Sequence, residues 1–581
     1  MSTVAVADGQ AAQPPLVHAL ILTEFDILKG STVRHRYPEG SLAECPNDWF
    51  AEHMLPEGVH NRASDETIMF LERGAPDILY LLNVVHSRRD SSVKRGAVVK
   101  ALAIATRYNH LTVFRAPLIM ALDHYFDSPT VDVLRELYDA LNAVNLSQMP
   151  RPSATEQQLM RRGVAARSLG SHVVTHCPSE WMWSTSCALR VSSVPLRFPL
   201  YCSPDEVVNP LDEPILTTLA ATLGDQTMRV FNAVLAGKRV LFVGYNHAAQ
   251  DVCRFVLAAA SMVSPPVEGI LRRVYPYANL TDLSFLETPG YIAGVTNPVF
   301  EGNVSWWDLL VVLNLSERSA AVFSPEEKAR EDEKRSKKTP VPPPQPPPPP
   351  PSDGAAAVSE ETDHQRRADA LFISKVLSGI RVHLGEEWVQ SMFRDLTRST
   401  MDLGLDESDP DLAAARSSSD AWKKLLLANS ARIASFRASC NSPTVCADPW
   451  AGGARGEEEQ LGGSEDGAAL RRHLRRLVLG TDIPSEELEE IFRALVRGVE
   501  SERAVQVLLC LLPESSGGLH PIAAALLHEN TAVRRHAATL LTRIESFPST
   551  APAFNALNPF FLVAYQRASA ATAVGVEEEG G

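Results

Sequence analysis

The sequence predicts a mixed α/β protein whose C-terminal half is mainly helical. Short apolar runs within residues 16–110 are typical of strands arranged around one helix. Strands and helices alternate within residues 171–315, which favours an α/β layer that contains parallel strands. Amphipathic helical segments dominate from residue 363 onward.

The composition fits several globular domains and excludes some classes of protein. The chain has 581 residues, of which 45% are hydrophobic and 22% are charged, and its formal net charge is −15. At about 150 residues per domain, the length predicts roughly three to four domains. The apolar fraction is that of ordinary globular proteins, so global disorder, collagen and a disulfide-rich scaffold are excluded. The acidic balance argues against a whole-surface binder of nucleic acid or anionic membranes, although it leaves room for a local basic patch.

Targeting, membrane-spanning and disulfide patterns are not evident in the sequence. The opening MSTVAVADGQAAQPP lacks the layout of a secretory signal, and no apolar run approaches the ~18 residues of a spanning helix. The eight cysteines are scattered and form no CxxC pair. Reduced thiols in a cytoplasmic protein are therefore expected.

The N-terminal region is predicted to contain strands followed by helices. Leu16–Phe25 is a buried apolar run, and Thr32–Tyr37 is a polar run typical of an edge strand. Leu111–Val144 has helical periodicity with a split near residue 128, where Ser128 is placed to cap a second helix. The predicted core face of that second helix consists of Val133, Leu134, Leu137 and Leu141.

The middle region is predicted to alternate between helix and strand. Leu216–Leu235 has helical periodicity, and Arg239–Gly244 is a short buried strand. A helix follows and stops near Pro265, and Trp307–Leu315 is a further strand. The stripe that this helix buries consists of Val252, Phe255, Val256 and Ala259.

Two low-complexity segments divide the C-terminal half. Residues 324–361 pass from alternating charge into a proline run at 340–351, which favours an extended polyproline II conformation. This segment is either a semi-rigid spacer, which we favour, or a ligand for SH3-type or WW-type proline-recognising domains. Residues 441–467 are rich in Gly, Ser and Glu and are predicted to form a disordered loop.

The remaining C-terminal segments are predicted to be helices. Residues 468–566 contain a run of helix pairs, and residues 567–581 form a small acidic tail. The stretch around His528-Glu529-Asn530 resembles one HEAT-like hairpin, in which two apolar helices flank a polar turn. No fixed-period repeat is clear enough to predict a solenoid.

A search for chemical motifs gives no convincing catalytic constellation. The sequence lacks a P-loop, a GxGxxG fingerprint, a GxSxG elbow, an HExxH motif and the kinase signatures. His172, His176 and Cys177 could ligate zinc, but no second ligand pair stands at metal spacing, and chance proximity is the simpler interpretation. A basic run at residues 471–476 could touch anionic lipid, although a solvated helix face is the favoured reading. We therefore expect no catalytic residues, no cofactor and no metal, and a binding or regulatory role.

Three stretches carry a resemblance to a known family. The first is ALILTEFDILKGSTVRHRYPEG (19–40), followed by AEHMLPEGVHNRASDETIMFL (51–71). The second is SSVPLRFPLYCSPDEV (192–207), and the third is PPVEGILRRVYPYANLTDLSFLETPGYIAGVTNPVFEGNVSWWDLL (265–310). Together they resemble DENN-domain proteins of the stabilisation-of-polarity-axis branch, which includes the yeast Arf-interacting docking protein family.

The resemblance implies a tripartite DENN fold followed by a HEAT-like helical block. A longin-like module is expected at 16–145, a central α/β DENN module at 171–320, and a helical third part at 363–440. The resemblance also implies binding of a small GTPase of the Arf or Rab family in vesicle trafficking and polarised growth. Guanine nucleotide exchange would need no catalytic side chain, because tighter binding to the nucleotide-free GTPase lowers nucleotide affinity by linkage. Membrane association is expected to be indirect.

Partner-binding candidates come from the third stretch, which combines turn-forming residues with aromatic side chains. For each residue a structural role is an open alternative, because the Trp pair could begin a strand and the Asn-Pro pair could shape a loop. Glu24 and Asp26 of the first stretch present the same choice between facing a GTPase and closing a strand. The predicted partner-binding residues are Asn297, Pro298, Phe300, Trp306, Trp307 and Asp308.

Three functional hypotheses follow from these observations. The first is a GTPase regulator or docking protein, with or without exchange activity. The second is a non-catalytic scaffold that recruits partners through the polyproline segment and the C-terminal helices. The third is a nucleotide-dependent enzyme on an α/β fold, which is the weakest of the three because no phosphate-binding motif is present.

Overall fold

The computed structural model divides the chain into two compact units. One unit is Met1–Pro150 with Ser184–Phe198, and the other is Arg151–Trp183 with Pro199–Gly581. These units are coarser than the seven segments that the sequence predicts, so the finer boundaries stay predictions. The structure describes residues 15–578 except 27, 73–77, 90–96, 154, 162–181, 190–192, 202–213, 268, 337–352, 406–419, 440–472, 475, 479–482, 515–517 and 556.

The first unit is built on a five-stranded antiparallel sheet with the order β2-β1-β5-β4-β3. Alternate residues of a strand face opposite sides, so Ile21 and Leu81 pack with helix α1, whereas Lys100 lies over the Tyr125 ring of helix α2. Helix α3 contacts α2 and β2. The elements are β1 (Ala19–Asp26), β2 (Gly30–Tyr37), α1 (Asn47–Met54), β3 (Ser64–Glu72), β4 (Ile78–Arg89), β5 (Ala97–Thr106), α2 (Thr112–Asp127) and α3 (Val131–Asn142).

Most sequence predictions for this unit agree with the structure. The two N-terminal runs form β1 and β2, and β2 is an edge strand as predicted. The four apolar residues of the predicted core face of α3 are all buried. The predicted cap is wrong, because Thr130 and not Ser128 precedes α3, and Ser128 ends α2. Ser128 stands before Pro129, and a residue before proline is disfavoured in the helical conformation, so the new helix begins only after the proline.

The second unit contains a mainly parallel sheet with the order β12-β11-β8-β10-β9, in which β12 alone is antiparallel. The alternation of strands and helices therefore gives a parallel layer, as the sequence predicts. The predicted continuous helix at 216–235 is instead two helices, because Gly224 adopts a φ of 55° between them. The elements are α4 (Ile215–Leu223), α5 (Thr227–Leu235), β8 (Val240–Val243), α6 (Ala249–Ser261), β9 (Val274–Tyr275), β10 (Ile292–Val295), α7 (Val299–Gly302), β11 (Leu309–Asn314) and β12 (Ser319–Phe323). A separate two-stranded sheet, most of which belongs to the first unit, pairs β6 (Met182–Ala188) with β7 (Ser193–Pro199).

Helix α6 lies unusually close to the sheet. A Cβ atom added at Gly294 of β10 would lie 2.5 Å from the carbonyl oxygen of Pro276 and 2.6 Å from the Val252 side chain. Val252, Phe255, Val256 and Ala259 of α6 are buried, as the predicted stripe requires. The glycine therefore permits a helix-to-sheet distance that a side chain would prevent.

Both flanks of the predicted linker are helical. Helix α8 (Pro325–Ser336) begins with a capping box, in which Ser324 N donates to Glu327 Oε2 at 2.7 Å and Glu327 N donates to Ser324 Oγ at 3.3 Å. Lys328 of α8 is buried and pairs with Glu301 at 2.6 Å. Helix α9 begins at Asp353. The structure thus differs from the prediction of a linker over 324–361, and the proline run and the loop at 441–467 lie outside the described residues.

Three helices pack against the α/β layer of the second unit. They are α9 (Asp353–Arg381), α10 (Glu386–Leu405) and α11 (Asp420–Arg437). Glu386 of α10 accepts backbone N–H groups of Leu216 and Thr217, both at 2.8 Å, and so caps the first turn of α4. Asp369 of α9 accepts from Asn232 of α5 at 2.8 Å and also from Arg432 of α11.

The C-terminal helices share one apolar core. The predicted HEAT-like pair corresponds to α14 and α15, with Asn530 capping α15 through a 2.8 Å bond to Ala532 N. In the described part of the chain, no helix has both the length and the apolar character needed to cross a membrane. The helices of this block are α12 (Ser485–Gly498), α13 (Glu502–Leu511), α14 (His520–Ala524), α15 (Thr531–Ser546), α16 (Ala551–Asn555) and α17 (Pro559–Glu578).

Candidate functional site

The carboxyl ends of the parallel strands lie together at one edge of the second sheet. Strands β9, β10 and β8 are neighbours, so the loops that follow them lie next to one another. Gly244 N after β8 donates to Val295 O at 2.9 Å, and Ala278 N after β9 donates to Gly294 O at 2.8 Å. In open α/β sheets this edge is where partners and ligands usually bind.

Asn297 and Pro298 shape the loop after β10. The Asn297 side chain accepts the N–H of Val299 at 3.0 Å, and Pro298 precedes the one-turn helix α7. Asn303 closes the turn by donating to Val299 O at 2.8 Å. Pro298 is exposed and Asn297 is half-buried, so both remain available at the carboxyl edge while they fix its local backbone.

Exposed apolar side chains stand on these neighbouring loops. Tyr245 after β8 is 57% exposed and Val299 after β10 is 51% exposed. Leu280 and Leu283 after β9 are exposed by more than a third. We call these four residues the carboxyl-edge patch. Sequence reasoning missed them, and the available signal was confined to Tyr245, which follows the predicted strand at 239–244 directly.

Phe300 and Trp307 lie in the interior of the molecule. Together with Phe285 and Tyr291 they form an aromatic layer on the face of the sheet opposite α6. Phe300 and Trp307 expose no surface, and Trp307 Nε1 donates to Phe300 O at 3.2 Å. In this conformation neither residue can contact a partner directly. The contacts therefore support a structural role for Phe300 and Trp307 rather than a role in partner binding.

Trp306 and Asp308 lie at the opposite, amino edge of the sheet. Trp306 is half-buried against Phe300 with ring centroids 5.4 Å apart, and its carbonyl accepts the Tyr291 hydroxyl. Asp308 Oδ1 accepts from Arg239 Nη2 at 2.8 Å, and Asp308 Oδ2 accepts from Arg239 N at 2.8 Å. Burial raises the pKa of Asp308, but the hydrogen bonds and the charge of Arg239 outweigh it and hold the pKa below its ordinary value. The six predicted residues therefore do not form one surface.

The first stretch places Glu24 and Asp26 at the end of β1. Arg34 of β2 donates to Glu24 Oε2 at 2.9 Å. Asp26 Oδ1 accepts from the backbone N–H groups of Leu28 and Lys29, at 2.8 and 3.1 Å, and these bonds lower the pKa of Asp26. The two carboxylates thus close the β1–β2 turn. Leu28, which sequence reasoning also missed, is 94% exposed at the tip of that turn.

The described part of the chain could ligate a metal ion only where several suitable side chains lie close together. There, no three His, Cys, Asp or Glu side chains lie close enough to hold a metal ion. His172, His176 and Cys177 lie outside the described residues. The carboxyl-edge patch and Leu28 are among the exposed apolar features of the described surface.

Two family models match separate segments of the chain. A family described as "Stabilization of polarity axis" matches residues 213–320, which include the parallel sheet and the carboxyl-edge patch. A family described as "Docking domain of Afi1 for Arf3 in vesicle trafficking" matches residues 19–77, which include the β1–β2 turn. Both matched segments coincide with the exposed apolar features described above.

Two relatives are similar to this chain. An AFI1-like protein of Schizosaccharomyces pombe is 23% identical over 620 aligned residues, which cover 91% of this chain and 94% of that protein. ARF3-interacting protein 1 of Saccharomyces cerevisiae is 32% identical over 73 residues, which are 12% of this chain and 8% of that protein. The two matched families and the nearly full-length similarity support the polarity-axis and Arf-docking family for this chain.

Proposed function

We propose that this protein docks a small GTPase of the Arf family at sites of vesicle traffic and polarised growth. The observation that carries the proposal is the position of Leu28, an almost fully exposed apolar side chain within the segment matched to an Arf3 docking domain. Single exposed apolar side chains are ordinary on protein surfaces, so the weight of this observation lies in the position of Leu28 within the matched docking segment. The relatives' names point to Arf, so we propose Arf rather than Rab as the partner class.

The described part of the β1–β2 turn suits a docking role because hydrogen bonds hold the backbone of Leu28 and Lys29 before a partner arrives. Asp26 holds Leu28 N and Lys29 N, and Arg34 ties Glu24 to the neighbouring strand. A preorganised contact loses little conformational entropy on binding. Asp26 and Glu24 therefore act in the proposal as positioning residues, while Leu28 makes the contact.

The carboxyl-edge patch is proposed as a second contact surface. It lies in the segment matched to the polarity-axis family, and Tyr245 is its most exposed member. Tyrosine is enriched among residues that dominate interface energies, because it buries a large apolar ring and keeps a polar tip. Of the predicted residues, Asn297 and Pro298 belong to this surface, whereas Phe300 and Trp307 support it from the core.

Binding assays on the full chain test the docking proposal. An Arf and a Rab panel, each loaded with GDP, loaded with a GTP analogue or stripped of nucleotide, is measured for affinity. Leu28→Ser is expected to weaken Arf binding about 10-fold or more, which is the loss typical of a central apolar contact. Val382→Ser is the matched control, because Val382 is also exposed but lies outside both matched segments. Absence of binding to every Arf and Rab protein would rule out the docking function.

Guanine nucleotide exchange is a finer proposal on the same surfaces. It requires that the nucleotide-free GTPase binds more tightly than the loaded form, by the same factor by which the bound protein lowers the nucleotide affinity of the GTPase. A DENN-type organisation is proposed with it, because an antiparallel sheet unit, a parallel α/β layer and packed helices follow in the expected order. Equal affinity for stripped and loaded Arf would leave docking intact and exclude exchange.

A scaffold role is the alternative proposal, in which the polyproline segment recruits proline-recognising domains. Its deletion must spare α8, because Ser324 caps that helix and Lys328 is buried against Glu301. Residues 337–352 are therefore the segment to remove. Loss of partners after this deletion, with Arf affinity unchanged, would support recruitment by the proline run.

A further inference from the structure

The C-terminal block presents two helices side by side that run in the same direction. Near their starts, Asn530 Nδ2 donates to Glu489 Oε2 at 2.8 Å, which joins the cap of α15 to the first turns of α12. Near their ends, Arg543 Nη1 donates to Val499 O at 2.6 Å. Arg543 thereby satisfies a free carbonyl at the end of α12, where a cation is electrostatically favoured. The first turns of α12 therefore lie beside the first turns of α15, and the last turns of the two helices also lie side by side.

Basic side chains gather on these two helices. Arg493 and Arg497 are one turn apart on α12, and both are exposed. Arg535 on α15 is also exposed, and His536 beside it is half-buried. Among the residues that the structure describes, the guanidinium groups of Arg497 and Arg535 have no hydrogen-bond or salt-bridge partner. We call these four residues the α12–α15 basic cluster.

The cluster has an excess of positive charge in an acidic protein. Arg535, Arg493 and Arg497 all act electrostatically on His536, and the opposing carboxylate is that of Glu489, which also pairs with Arg493. Partial burial and the charges of Arg535 and Arg493 lower the pKa of His536, and its Nδ1 atom is buried without a hydrogen-bond partner. Like charges held together destabilise a folded surface, and a bound anion would relieve that repulsion.

We propose that the α12–α15 basic cluster binds a phosphate group carried on an anionic lipid headgroup. Guanidinium groups donate paired hydrogen bonds that match phosphate oxygens, and those of Arg497 and Arg535 are unengaged. Their exposure along two parallel helices lets them reach a flat charged surface. Phosphate recognition follows from the cluster itself. The choice of a lipid rests on the proposed function, because the matched docking family is described by vesicle trafficking.

Vesicle sedimentation with the full chain tests this site. The probes are vesicles of phosphatidylcholine alone, with phosphatidylserine, and with a phosphatidylinositol phosphate, each at physiological salt. We expect binding to the phosphoinositide vesicles and about 30-fold weaker binding by R497Q/R535Q, at about a factor of 5 per arginine near an anionic surface. Both residues are exposed and unpaired, so this variant is expected to fold. Equal binding by wild type and R497Q/R535Q would overturn the site.

A charge-matched control separates the cluster from net charge. R330Q/R381Q removes two positive charges from exposed positions on α8 and α9, and it is expected to bind vesicles as the wild type does. Equal weakening by both double variants would overturn the proposal, because it would reflect overall charge alone.

Soluble inositol hexakisphosphate distinguishes phosphate recognition from lipid recognition. If it binds with the same sensitivity to R497Q/R535Q while no vesicle binds, phosphate recognition is supported and the lipid source is overturned. If neither probe binds, the whole proposal is overturned. Arf affinity is measured on the same variants and is expected to stay unchanged, so failure of the lipid site and failure of Arf docking give different results.

Discussion

The two sheets of this protein differ in what they leave exposed. The antiparallel sheet of the first unit has helices on both faces, so its exposed features include the edge strands β2 and β3 and the β1–β2 turn with Leu28. The parallel sheet of the second unit has α6 on one face and the aromatic layer on the other. Its exposed features are the carboxyl-edge loops with Tyr245 and Val299.

This difference shows how strand direction places a contact surface. Antiparallel neighbours are joined by short turns at both edges of the sheet, so a single turn can carry a contact residue. Parallel strands collect their outgoing loops at one edge, so residues distant in sequence form one patch. In the second sheet the aromatic layer packs beneath these outgoing loops, and it contains Phe300 and Trp307 of the third stretch.

The largest expected effect comes from removing part of the aromatic layer. Trp307→Ala should destabilise the second unit by about 3–5 kcal/mol, because it opens a cavity in the core and removes the indole donor to Phe300 O. The measurement is denaturant unfolding together with hydrogen exchange at β10 and β11, since a two-unit chain need not unfold in one step. Val304→Ala on the exposed connection is the control, with an expected change within about 0.5 kcal/mol. An equally small change for Trp307→Ala would contradict a structural role for the layer.

The next effect concerns the close approach of α6 to the second sheet. Gly294→Ala should cost about 1–3 kcal/mol, because the new Cβ would collide with the backbone at Pro276. Gly302→Ala is the matched control, because a Cβ there meets no atom within 4 Å. That substitution should be neutral or slightly stabilising, since it restricts the unfolded chain. Denaturation midpoints compare the two, and equal midpoints would mean that the sheet can move away from α6.

A smaller effect is expected at the amino edge, where Asp308 pairs with Arg239. The folded pKa of Asp308 lies below its ordinary value, so its stabilising contribution is complete above pH 3.8 and is lost as the pH falls through the folded pKa. Asp308→Asn should cost about 1 kcal/mol at neutral pH, because the pair is partly exposed to solvent. Unfolding of both proteins is followed from pH 7 downward, and their stabilities should converge in acid. A constant difference across this range would exclude ionisation as its cause.

The sequence predicts the individual strands and helices of this fold better than it predicts which of them pack against one another. Apolar runs predicted β1, β8 and β11, and a polar run predicted the edge strand β2, because the residue pattern of a strand is a local property. The order that puts β8 at the centre of its sheet depends on long-range pairing, which no local pattern records. Phe300 and Trp307 therefore looked available for binding, while Tyr245 went unnoticed beside its strand. The basic cluster was equally hidden, because its residues are separated in the chain by the α13–α14 region and meet only through packing.

The smallest effect on stability should be the most informative about binding. Leu28→Ser and Tyr245→Ser remove exposed side chains from the first and the second sheet, and each should change stability by less than about 0.5 kcal/mol. If both sheets contact the same Arf molecule, each substitution weakens binding and their effects on the binding free energy add, as is usual for independent positions. If only the docking segment binds, Tyr245→Ser leaves affinity unchanged and the double variant equals Leu28→Ser. Titration calorimetry on the four proteins decides between these outcomes, and a loss with Tyr245→Ser alone would move the docking surface to the parallel sheet.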